Sequence, residues 1–263
     1  MKKQLIIILA VLVTIMGIAT FLILSQKRNN PPTSVIDPKN TIELYEELSS
    51  NEVQKIMITT VNVNVRVIKS DNNNVRIIYK PFTDEKSFKY ELVDGVLTLS
   101  VNEVESRKFL IPTDSELIYV YIPKTNAIDF YFETGSGFID VDEVNLKSIE
   151  VKSTSGIVAL SDCIITEGLS VNDEYGKVAL RNVVFKQLKI DAVSALISCS
   201  LAELVDGYVI DSLTNRGDIT VNGVASGNSF VLGTGEENTE NPVIVIRSKT
   251  GNISLSFLME ENQ

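Results

Sequence analysis

The 263-residue chain carries 34 acidic and 24 basic residues, two cysteines and no histidine. The missing histidine removes the commonest general base, metal ligand and pH switch, and two cysteines without CxxC spacing make neither a disulfide framework nor a zinc or redox site. Beyond residue 30 stand 20 basic against 34 acidic residues, a net charge of −14; a field of that sign repels phosphate backbones and anionic lipid headgroups, so no nucleic-acid partner is expected.

The first predicted element is a membrane span. Leu5 to Leu24 are 20 residues without a charge, and at ~1.5 Å rise per residue a helix of them covers ~30 Å, the thickness of a hydrocarbon core. A cleavable signal peptide is the competing reading, with Gly17 and Ala19 as a processing site, but the apolar run continues through Phe21-Leu22-Ile23-Leu24. Residues 1–28 therefore read as a cytoplasmic tip and uncleaved transmembrane anchor. The amino terminus with Lys2 and Lys3, set against Lys27 and Arg28, biases the N-terminus toward the cytoplasm. The expected location is the cell membrane, single-pass, with the C-terminal domain extracytoplasmic. Residues 29–40, with Pro31, Pro32 and Pro38, read as an extended linker.

Residues 41–263 form the expected β domain. Thr41 to Asn51, rich in Glu and Leu, predicts a short capping helix. Strands and a hairpin fill residues 53–123. The period is two in Ile56, Ile58, Val65 and Val67, and again in Val75, Ile77 and Tyr79. Asp94-Gly95 between alternating apolar residues is a hairpin signal. Leu117 to Ile122 is a further strand closed by Pro123. Its Tyr119 and Tyr121 share one face, able to stack on sugars or to pack beneath flanking chain.

Regular coils follow over residues 124–258, where Gly137, Gly156, Gly176, Ala195, Gly217 and Gly251 mark a repeating unit. Paired apolar residues precede the marks by seven and five positions, as in Phe130 and Phe132, Ile149 and Val151, and Leu169 and Val171. Others follow by two and four, as in Ile139 and Val141, and Val158 and Leu160. A third inward column lies seven residues past each mark, at Val144, Cys163, Val183, Ala202, Val224 and Leu258. A coil of about 20 residues cannot close its own core, so stacking must complete it. The fold class is all-β: a single-stranded β-solenoid, or β-helix, preceded by one transmembrane helix. Glycine at the marks implies a tight turn with positive φ or no room for a side chain.

No catalytic residue, cofactor or metal site is expected. Asp140, Asp142, Asp162 and Asp173 read as outward carboxylates, and paired carboxylates on a β-helix can hydrolyse glycosides. No column of Lys, Arg or Tyr recurs with them, which favours an ordinary solvated strand. The longest break in the repeat, Gly227 to Pro242, carries Glu236, Glu237 and Glu240 as a candidate interaction loop.

Three stretches, Lys55 to Val67, Tyr119-Val-Tyr-Ile-Pro123 and units such as Thr134-Gly-Ser-Gly-Phe-Ile139, resemble the bacterial putative-adhesin family of β-solenoids, a domain of unknown function, over about residues 50–258. The resemblance implies a cell-envelope protein, with relatives linked to surface adhesion or envelope stress, and supplies no catalytic residues. The expected role is a non-catalytic structural, adhesion or interaction module. Its expected partners are the membrane through the N-terminal helix, an envelope protein or wall component, and a second copy by self-association. An envelope-stress sensor and a carbohydrate-active β-helix enzyme are the alternatives.

Overall fold

The computed structural model describes residues 42–49, 52–80, 88–101, 117–123, 128–233 and 241–258. The anchor at Leu5–Leu24, the linker at 29–40 and the loop carboxylates Glu236, Glu237 and Glu240 lie outside the described residues. Among the described residues no helix is long and apolar enough to cross a membrane.

Alternating β-branched residues make strands with one apolar face, and two such strands per coil build two 11-stranded sheets around one core. The inward residues stack in register. In one sheet Phe130, Ile149, Leu169, Leu188, Ile244 and Ile210 are successive lateral partners. In the other the row is Val65, Ile139, Val158, Val178, Ile197, Ile253 and Ile219. Every pairing in these two rows is parallel, as stacked coils of a solenoid require.

Stack order departs from chain order at both ends. The coil of Lys55–Thr60 and Asn64–Ser70 lies inside the later pair Val96–Val101 and Leu117–Pro123. At the opposite end Val243–Ser248 and Ile253–Leu258 enter between two earlier coils. One is Val184–Ala192 with Leu196–Leu204, the other Val209–Thr214 with Ile219–Val221.

Antiparallel strands close both ends. Phe88–Val93 pairs with Val96–Val101 through a turn with Asp94 at φ 49° and Gly95 at φ 78°, as a two-residue hairpin demands. Ser229–Leu232 and Val224–Gly227 cap the far end. The helix expected at Thr41–Asn51 is instead the strand Ile42–Ser49, antiparallel to Asn74–Lys80. Without it, Asn74–Lys80 would present an unpaired edge, and a ladder to that edge outweighs the helical preference of Glu and Leu.

The third inward column holds in the regular coils, where Val144, Cys163 and Val183 are buried. Each follows a residue with positive φ: Glu143, Asp162 and Asn182. The column fails at Val224 and Leu258, which are 68% and 57% exposed. Position six past the mark is Leu201 or Phe257 in the coils of Ala195 and Gly251. Both are buried, and neither adopts the left-handed turn. In these coils the strand runs on in plain alternation past the position where the regular coils turn, which puts Leu258 outside.

Candidate interaction surface

The marks form one column through the stack, and of the two reasons for glycine, lack of room is the operative one. None of the mark glycines has positive φ. A Cβ on Gly137 would lie 2.2 Å from the Val63 carbonyl oxygen, and one on Gly156 2.4 Å from that of Gly137. On Gly176 it would meet Gly156 at 1.9 Å, on Gly251 Ala195 at 1.9 Å, and on Gly217 Gly251 at 2.1 Å.

Three residues before every mark except Ala195, where Ala192 stands, a short polar side chain points into the same corner. Thr134, Ser153, Ser248 and Thr214 are buried and accept the N–H of Gly137, Gly156, Gly251 and Gly217 at 3.0, 2.8, 2.9 and 3.1 Å. The Thr60 hydroxyl contacts that of Thr134 at 3.2 Å, and the Thr214 hydroxyl donates to the Gly251 carbonyl at 2.9 Å, tying coil to coil.

Asp173 belongs to this inner column, which corrects its outward placement. It is 0% exposed, and neither carboxylate oxygen has a hydrogen-bond partner. Burial pushes its carboxyl above the usual carboxylate range, opposed in part by the nearby Ser153 hydroxyl and Gly176 N–H, neither of which attains hydrogen-bond geometry to it.

The other three acids are engaged in structural contacts. Asp140 forms an ion pair with Arg66, Oδ2 to Nε 3.2 Å, both side chains partly buried. Asp142 accepts from the Ser161 hydroxyl at 2.8 Å. Asp162 is a corner residue, not a strand residue, and is held by Arg181 and Asn182 at 2.8 Å each. The four do not converge: Asp140 and Asp142 share a strand, Asp162 is at the corner, and Asp173 lies inside on the opposite sheet. Among the described residues no group of three or more His, Cys, Asp or Glu could hold a metal ion.

Tyr119 and Tyr121 lie together on the outer face with ring centroids 6.3 Å apart. They are not a bare platform, because the Arg76 guanidinium sits 4.2 Å from the Tyr121 centroid. Arg66 is the lateral neighbour of Tyr119. Burial raises the Tyr119 hydroxyl pKa, with Arg66 opposing. The opposite sheet repeats the theme. Tyr131 lies between Lys55 and Lys152, whose ammonium groups are 6.0 and 5.1 Å from the ring, and donates to Glu133 at 2.7 Å. Sequence reasoning missed this cluster; the signal was the outward position between Phe130 and Phe132.

A shallow cleft of about 370 Å³ opens on the same sheet beside Ala192, with Asn172, Asp191, Asn215, Arg247 and Lys249 on its walls. It falls at the coil where the polar column has alanine. Cys163 and Cys199 are free and buried, and burial pushes their thiols up to about 11 and about 12. The Cys163 thiol also donates to the Ser161 carbonyl at 3.0 Å.

These features define a class: a two-sheet, β-solenoid-like domain with capped ends, ion-paired and aromatic-cationic outer faces, and a polar ladder along one corner. The chain belongs to the Toastrack DUF4097 family, whose model matches residues 53–257. Its fold is similar to that of a putative cell adhesion protein from Clostridium sporogenes, at 15% identity and TM-score 0.51, covering 83% of this chain and 100% of that one. A putative adhesin from Bacteroides fragilis aligns at 16% identity and TM-score 0.46, over 82% and 97% of the two chains. At such identities the likeness is one of fold. No curated protein matches the chain.

Proposed function

We propose that the chain is a membrane-tethered, extracytoplasmic interaction module of the cell envelope that works without catalysis. The observation that carries this reading is the use of the candidate acids. Asp140, Asp142 and Asp162 are tied into ion pairs and hydrogen bonds that hold neighbouring coils together, and Asp173 is sealed inside. What remains for function is a stiff stack with two broad outer faces. Its aromatic-cationic clusters at Tyr119, Tyr121 and Arg76 and at Tyr131, Lys55 and Lys152 suit contact with a protein or glycan surface. The adhesion names of the solved neighbours point the same way. The anchor at Leu5–Leu24 supplies the tether, and envelope components are the partners.

Protease added to intact cells tests the placement. Removal of the domain supports it; survival until the cells are lysed rejects it.

A further inference from the structure

Among the described coils, that of Val243–Ser248 and Ile253–Leu258 is set apart by pairing parallel on both sides with coils that precede it in the chain. Val96–Val101 and Leu117–Pro123 also follow both their neighbours, but one of those neighbours is an antiparallel cap strand. It enters a slot whose walls already exist. Val184–Ala192 and Val209–Thr214 wall one sheet, Leu196–Leu204 and Ile219–Val221 the other, and each pair of walls is separated by one strand position. Filling the slot completes parallel ladders on both sides and buries Ile244, Ile246, Ile253, Leu255 and Phe257. Polar contacts fix its register: Arg247 pairs with Asp211, the Asp218 N–H donates to the Asn252 Oδ1 at 3.0 Å, and the Phe257 N–H donates to the Asn222 Oδ1 at 2.7 Å.

These contacts join the coil to the walls and none of them depends on which chain the coil comes from. Residues 233–242 are its covalent link to the outer cap. We propose that the slot is also the interface between copies of this chain: two molecules exchange residues 243–258, each filling the other's gap. Reciprocal exchange preserves every ladder and buried side chain, so the balance between closed and exchanged forms is set chiefly by local concentration. Tethering in one membrane raises that concentration; to this extent the inference rests on the proposed tether. It turns self-association from a surface contact into a strand-insertion lock.

Ser198 and Ser254 are lateral partners on the outer face, one on the wall and one on the inserted strand. Full-length Ser198→Cys and Ser254→Cys chains are co-expressed in one membrane, oxidised and separated without reductant. The buried native thiols stay silent. Exchange predicts a covalent 198–254 heterodimer in the mixture, far in excess of any product from either variant alone, since a collision of outer faces would link each variant with itself as readily. The Ser198→Cys/Ser254→Cys double variant supplies the second measurement. An internal disulfide there, with no cross-chain product in the mixture, overturns the proposal. Surface placement is read separately by protease, so that reading fails or stands on its own.

Discussion

A Cβ added to Gly176 would lie 1.9 Å from the carbonyl oxygen of Gly156, one coil away. The spacing of the stack at this corner is therefore set by backbone against backbone, with Leu196 and Lys177 amides reaching down to the Gly176 and Gly156 carbonyls at 3.2 and 3.1 Å. Gly176→Ala forces neighbouring coils apart and is expected to cost about 2–3 kcal/mol. Gly168 has nothing within 4 Å of its Cβ position and no positive φ, so Gly168→Ala should change stability by less than ~0.5 kcal/mol. Denaturant unfolding of the two variants makes the comparison.

Asp173 gives a pH prediction. Its folded carboxyl titrates above its ordinary value because of burial. The stability this group contributes is thus fully present below the unfolded pKa near ~4 and is lost as pH rises through the folded pKa. Asp173→Ser restores the hydroxyl that Ser153 supplies in the adjacent coil and Ser248 two coils away. It should stabilise the protein at neutral pH by about 1–3 kcal/mol, the cost of an unsatisfied buried polar group, and the gain should shrink toward pH 4. A gain that is equal at both pH values contradicts the assignment.

Asp140→Asn breaks the pair with partly buried Arg66 and should lower stability by about 1–3 kcal/mol. Asp142→Asn keeps an acceptor for the Ser161 hydroxyl and should cost less than Asp140→Asn. If either substitution abolishes release of sugars from purified wall, the acids are catalytic and the non-catalytic reading fails.

Cys163 and Cys199 should resist thiol reagents in the native state, since burial holds both thiols protonated and out of reach. Labelling is expected to follow the rate of unfolding. Fast labelling at neutral pH would show that the coils around Cys199 open locally.

The repeat was legible because inward positions obey one rule. Ile149, Val151, Val158 and Leu160 lie at fixed distances from Gly156, and the ladders keep those offsets. Stack order was not legible. Ile244 fits beside Leu188 or Ile210 equally well by pattern, and only tertiary pairing places it between them. Asp173 was misread because polarity at a strand end implies solvent; its column of Thr134 and Ser153 shows that this corner selects short polar side chains inside. The missing corner at Leu201 and Phe257 was hidden for a related reason. The left-handed turn is carried by Glu143, Asp162 and Asn182, residue types that also populate exposed strands.

Photo-crosslinking from the outer faces on living cells tests the central claim most directly. Probes replace Ser198 on one sheet and Lys189 on the other, both exposed among the stacked coils. The account predicts a discrete adduct with an envelope component or a second copy from at least one face of the intact cell. No adduct from either face in intact cells, with adducts to cytoplasmic proteins after lysis, would contradict it.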